Sequence, residues 1–216
     1  LVSSCNIACG FHGGDPLTIQ HTIELALKNG VKIGAHPGFP DLMGFGRRNM
    51  QLSTEELGAI LLYQISAIKG MVESLGGKLH HVKPHGALYN EMAKNESWAK
   101  TLFELISQTD PALKVFVLAG SKAEDLAREM DMNYWAEAFV DRQYEVDGSL
   151  RARRLSDAVI HDPAQAVAHL WKMVLEQKVR TYGGEEIPLV AQTFCIHGDH
   201  PNTVEILEAR MMILKG

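Results

Sequence analysis

Short apolar runs of β type alternate along the chain with longer stretches whose apolar residues recur at helical spacing. The candidate strands are Asn6 to Cys9, Lys32 to Ala35, His80 to Lys83, Lys114 to Ala119, Trp135 to Val140 and Thr193 to His197. Helical segments separate them. One starts at Asp15-Pro16, an N-cap with proline at the first helical position, and carries Ile23, Leu25, Ala26 and Leu27 towards Gly30. A second opens on the capping box Ser53-Thr54-Glu55-Glu56, repeats Leu57, Ile60, Leu61, Ile65, Ile68, Val72 and Leu75, and stops at Gly76. Asp162-Pro163 repeats the first start signal ahead of Ala166, Val167, Leu170, Met173 and Val174. Helix after strand throughout predicts βα units and a parallel sheet, either an open doubly wound sheet or, with one more strand, a barrel. In both, the loops after the strand C-termini share one face, and ligands bind there.

The chain has 216 residues, enough for one sizeable core, and a single (β/α) domain over 1–216 is expected. A hydrophobic fraction of 46% and a charged fraction of 22% are those of a globular protein. No apolar run approaches the roughly 18 residues of a membrane span. The net charge of -5 offers no broad basic field for nucleic acid. Arg151, Arg153 and Arg154, the nearest approach to a basic cluster, read as a solvated loop. Cys5, Cys9 and Cys195 contain no C-x-x-C pair, so reduced thiols and a cytoplasmic location are expected. The sequence opens at Leu1 without Met and is strand-like almost at once, so a native segment upstream is expected; no signal peptide is seen.

The residues that follow each candidate strand form a polar inventory. After the first come Gly10-Phe11-His12-Gly13-Gly14-Asp15; after the second, His36-Pro37-Gly38-Phe39-Pro40-Asp41, then Gly44-Phe45-Gly46-Arg47-Arg48. The third delivers Lys83-Pro84-His85-Gly86 with Tyr89 and Asn90 a turn further on. The fifth ends in Asp141-Arg142 and the sixth in His197-Gly198-Asp199-His200. Histidine exchanges protons near neutral pH, aspartate fixes its tautomer, and Lys or Arg neutralises a carboxylate or phosphoryl group. On this basis His12, Asp41, Lys83, His85 and His197 are candidate catalytic residues. His36, Arg47, Arg48, Tyr89, Asn90, Asp141 and Arg142 are candidate substrate contacts. The spacings His12 to Asp15 and His197 to His200, with His36 and Asp41 in one loop, could hold a divalent metal, Asp15 and Asp199 among the ligands; the competing reading makes these two aspartates helix caps before Pro16 and Pro201. Neither G-x-x-x-x-G-K-[ST] nor G-x-G-x-x-G occurs, so no standard phosphate cradle is encoded.

Five strings, NIACGFHGGDP, IGAHPGFPDLMGFGRRNM, HVKPHGALYN, FVDRQYEVDGSL and CIHGD, closely resemble the LamB/YcsF family, understood as the A-subunit of the bacterial ATP-dependent 5-oxoprolinase, and the resemblance runs from Leu1 to about Met211. It implies an irregular (β/α)7-type barrel akin to glycoside hydrolases and polysaccharide deacetylases. Family chains open with an acidic D-x-N-x-D-x-G-E strand that this sequence lacks, so the first strand is expected to be missing. Ala152 replaces a usual proline and Cys5 a usual alanine. The resemblance further implies hydrolysis of the lactam of 5-oxo-L-proline to L-glutamate coupled to ATP hydrolysis, Mg2+ or another divalent metal, and two partner subunits, B and C; a homo-oligomer stays open. In that reaction Lys83 and Arg47 would meet the carboxylate or phosphoryl charge, His85 and His12 would move protons, and Asp41, Asp141 and Asp199 would orient groups or contact magnesium. The alternatives are a stand-alone metal-dependent deacetylase or amidase, with His12, His36, His197 and an aspartate as ligands, and a non-catalytic scaffold subunit.

Overall fold

A computed structural model describes residues 1–213, with side chains described through Ala209. The chain clusters into two compact units: Val2–Val117 with Lys122–Tyr134, and Leu118–Ser121 with Leu1 and the residues from Trp135 onward.

The first unit alternates β1 (Ser4–Ala8), α1 (Pro16–Lys28), β2 (Lys32–His36), α2 (Thr54–Ser74), β3 (Leu79–Val82), α3 (Gly86–Met92), α4 (Glu96–Thr109), β4 (Lys114–Leu118) and α5 (Lys122–Glu129). Its strands are parallel neighbours in chain order, with Ala8 opposite His36 and Gly34 opposite His81. The start signals act as expected. Asp15 caps α1 by accepting from the Leu17 and Thr18 amides and the Thr18 hydroxyl. Ser53 and Glu56 close a reciprocal capping box at α2. The helical apolar stripe of α2, Leu57, Leu61, Ile65, Ile68 and Val72, is buried against Ile33, Ala35, Val82 and Val115 of the strands. Truncating one such leucine to alanine costs about 2–5 kcal/mol.

The second unit holds β5 (Tyr134–Phe139), α6 (Pro163–Glu176), β6 (Lys178–Arg180), β7 (Glu186–Pro188), β8 (Thr193–Cys195) and α7 (Thr203–Ile213). β5 and β8 are parallel, with Phe139 opposite Cys195. Val140, Ile160, Val167, Leu170 and Ile206 form its core. The β6–β7 hairpin was not expected, because its strands are too short for a periodic signal; it turns through Gly183-Gly184.

One expectation for this unit is corrected. Arg151 does not lie in a solvated loop: its guanidinium forks onto Asp157, reaches Glu145, and stacks 3.6 Å over the Tyr182 ring. Together with the Arg142 guanidinium, which donates to the carbonyls of Ala158 and Arg151, it ties down the segment after β5.

Candidate active site

Two constellations arise at strand ends, one in each unit. In the first unit, β2 ends at His36 and the chain after β3 supplies Lys83 and His85. His36 Nδ1 lies 2.6 Å from the Lys83 carbonyl, and His36 Nε2 lies 3.0 Å from His85 Nδ1. His85 Nε2 lies 2.8 Å from the Phe45 carbonyl. His12, from the loop after β1, stacks on His85 with ring centroids 3.8 Å apart and planes 2° from parallel. Phe45 meets both of these rings edge-on.

The loop after β2 closes the cluster. Phe45 and Gly46 both take left-handed backbone, at φ 52° and 62°. A Cβ on Gly46 would stand 2.8 Å from His12 Cβ and 2.9 Å from His85 Cδ2, so only glycine fits. Main-chain bonds from Gly46 to Asp41, from Ala87 to Gly46 and from His85 to Pro37 knit loop and strand ends together.

Burial sets the electrostatics. It pushes His12 down to about 4, with Arg47 adding to the effect. It holds His36 well below the usual imidazole range, reinforced by His85, Lys83 and His12. Lys83 is itself buried, with its ammonium 5.7 Å over the Tyr89 ring. Arg47 lies 4.9 Å over the Phe45 ring.

The structure thus brings His12, His36, Lys83 and His85 together, with Phe45, Arg47 and Tyr89 around them. Asn90 is partly exposed on α3. Asp41 and Arg48 are committed to one another: Arg48 pairs with the Asp41 carboxylate, which also accepts from the Gly44 amide at 2.9 Å. The Arg48 hydrogen bonds pull Asp41 down to about 2. The pair fixes the loop that carries Phe45.

In the second unit, both Asp141 oxygens lie 2.8–2.9 Å from His197 Nδ1, and the His197 amide donates to the same carboxylate. Burial works to raise the Asp141 pKa, but the hydrogen bonds and charge of His197 outweigh it and leave the carboxyl below its ordinary range. Asp141 therefore orients the imidazole and fixes a hydrogen on Nδ1, which makes Nε2 the basic nitrogen of the neutral ring. Its carboxylate is spent in this way, as the buried Arg142 guanidinium is on carbonyls.

The metal expectation does not fit the donors. Asp15 is an exposed cap with its carboxylate engaged on the α1 terminus. Asp199 is exposed. The buried His200 donates from Nε2 to the Ile160 carbonyl and accepts the Asn202 amide at Nδ1, which leaves no ring nitrogen for an ion. The His12 and His85 rings are parallel and stacked, and an ion in the plane of one lies outside the plane of the other. Among the described residues no group of three or more His, Cys, Asp or Glu side chains is arranged to hold a metal.

One supporting residue was missed from the sequence. Gln64, on α2, is fully buried and clamps both backbone groups of Gly38, accepting from its amide and donating to its carbonyl, each at 2.9 Å. Gly38 in turn backs His12, since a Cβ there would reach 2.5 Å from His12 Nδ1. The buried His81 lies 2.8 Å through Nε2 from Asn6 Oδ1 and stacks on Phe116. Its position two residues before Lys83 puts it on the same strand face.

The LamB/YcsF family model matches residues 1–215. The chain belongs to the LamB/YcsF family. Relatives named as the A-subunit of 5-oxoprolinase include those of Pyrococcus furiosus, 48% identical over 95% of this chain and 80% of the relative, and Bordetella pertussis, 46% identical over 94% and 81%. The crystal structure of the lactam utilization protein from Thermus thermophilus superposes with a TM-score of 0.90 at 42% identity, covering 99% of this chain and 87% of that one. This LamB/YcsF chain therefore has the α/β fold of irregular (β/α) barrel type expected from its sequence. Among the described residues no helix is long and apolar enough to cross a membrane.

Proposed function

We propose that this chain is the A-subunit of an ATP-dependent 5-oxoprolinase, opening the lactam of 5-oxo-L-proline to L-glutamate in a complex with two partner subunits, B and C. The observation that carries the reading is the cluster of buried His12, Lys83 and His85 with half-buried His36 at parallel strand ends, in a family whose relatives carry that subunit name. A five-membered lactam is a stable amide, so its carbonyl oxygen must be activated. Phosphoryl transfer from ATP, a substrate, to that oxygen gives ADP and an electrophilic carbon. Water adds, the C–N bond breaks with a proton delivered to nitrogen, and a second water cleaves the acyl phosphate to glutamate and phosphate.

Lys83 and Arg47 are suited to neutralise the substrate carboxylate or phosphoryl oxygens. The imidazoles of the His12–His36–His85 cluster are suited to accept a proton and pass it on, burial keeping His12 and His36 neutral, and His197, oriented by Asp141, is a separate candidate base in the second unit. No step is routed through a divalent ion, because the described donors do not build a site for one. A nucleotide site is not encoded by any standard loop, and completion of that site by a partner is part of the proposal.

The test measures glutamate release from 5-oxoproline with and without ATP, by this chain alone and with its partner subunits. Lys83→Ala and His85→Ala should abolish ATP-coupled opening by the complex while the circular dichroism spectrum is retained. Near-normal turnover in either variant rejects these assignments, and ATP-independent activity of the chain alone rejects the coupled reaction.

A further inference from the structure

The line of contacts through His36 and His85 constrains how many protons the pair holds. It runs from the Lys83 carbonyl to His36 Nδ1 at 2.6 Å, from His36 Nε2 to His85 Nδ1 at 3.0 Å, and from His85 Nε2 to the Phe45 carbonyl at 2.8 Å. Both ends are main-chain carbonyl oxygens, which only accept. His36 Nδ1 and His85 Nε2 must therefore both carry hydrogen. The middle contact needs a third, on either of the two facing nitrogens. Two neutral imidazoles carry two N–H groups, so this arrangement belongs to a pair with one extra proton and a net positive charge. With two protons, one contact sets lone pair against lone pair.

That charge lies beside two cations and a neutral ring. Arg47 acts on the cluster from the loop after β2, Lys83 stands at the end of β3 above Tyr89 of α3, and His12, which burial keeps neutral, stacks on the pair from the loop after β1. Burial and these like charges oppose protonation. An oxyanion beside Lys83 and Arg47 reverses the sign of the local field and makes the third N–H favourable.

We propose that His36 and His85 form a proton-coupled anion site: binding of a carboxylate or phosphoryl oxyanion beside Lys83 and Arg47 draws one proton from solvent onto the imidazole pair. The proton resides in the N–H···N bond between the rings, and departure of the anion returns it to solvent. Its use as the proton for the lactam nitrogen rests on the oxoprolinase reading; the proton count does not.

The experiment is calorimetric titration at pH 8 in buffers of different ionisation enthalpy, on the chain alone and assembled with its partner subunits. The probes are sulfate and 5-oxoproline, neither of which titrates there. About one proton should be taken up per anion bound, and uptake per bound anion should fall to near zero in His36→Asn and His85→Gln. Nitrogen-15 NMR of the unmodified protein provides a second measurement, with three of the four ring nitrogens of the pair protonated in the anion-bound form. Binding without uptake, uptake that survives both substitutions, two protonated nitrogens in the bound form, or no binding of either anion overturns the inference. Sulfate binding with uptake alongside no binding of 5-oxoproline sustains the site and rejects the lactam as its ligand. Uptake with 5-oxoproline alone sustains the site as a carboxylate site.

Discussion

His197 owes its orientation to one buried carboxylate that contacts its Nδ1 with both oxygens. Asp141→Asn keeps the shape of that partner but can donate to Nδ1, which favours the wrong tautomer and removes the charge that steadies an imidazolium. Its kcat in the reconstituted reaction should fall about 10²- to 10⁴-fold with KM little changed, a loss of proton transfer rather than of binding. A variant with normal kcat would make the Asp141–His197 pair structural. Asp15 offers the opposite case. As a cap, its replacement by Ala should lower the melting temperature and leave metal content and turnover as they were; loss of turnover without loss of stability would restore the ligand reading.

The second helix shows how an element reaches the site without touching it. Gln64 satisfies both polar groups of the Gly38 peptide from the middle of α2, and that peptide forms the surface against His12. Gln64→Leu fits the helix but leaves a buried N–H and C=O unpaired, at about 1–3 kcal/mol. Denaturant unfolding should show that cost, and activity should fall further than the modest stability loss explains. Gln64→Glu, which keeps the acceptor for the Gly38 amide, should recover part of it. Equal activity in the leucine and glutamate variants would reduce Gln64 to a packing residue.

Across the whole molecule the buried imidazoles set a direction for stability against pH. Burial holds His12 near 4, His81 near 3 and His169 near 4, all below the ordinary imidazole value of about 6.5. The unfolded chain therefore takes up protons first as pH falls below about 6.5, and the folded form loses stability from there down to about 3. Thermal melts between pH 7.5 and 4.5 should show a falling melting temperature with decreasing pH, and a flat profile would mean that these rings are solvated. The βα alternation, the caps at Asp15, Ser53 and Asp162, and the convergence of His12, His36, Lys83 and His85 on strand ends were legible in the sequence, because periodicity and turn chemistry are local. The β6–β7 hairpin was too short to register by the same rule. Sequence could not divide the polar residues by task. That Asp41 is spent on Arg48, Asp141 on His197, and His200 on the Ile160 carbonyl and Asn202 amide depends on partners 7 to 56 positions away or on backbone geometry. Residue type and spacing determined which chemistry the chain carries and roughly where along the fold it gathers. The tertiary structure decided which nitrogens and oxygens are already satisfied, because a hydrogen bond consumes a donor and an acceptor that the linear order does not pair.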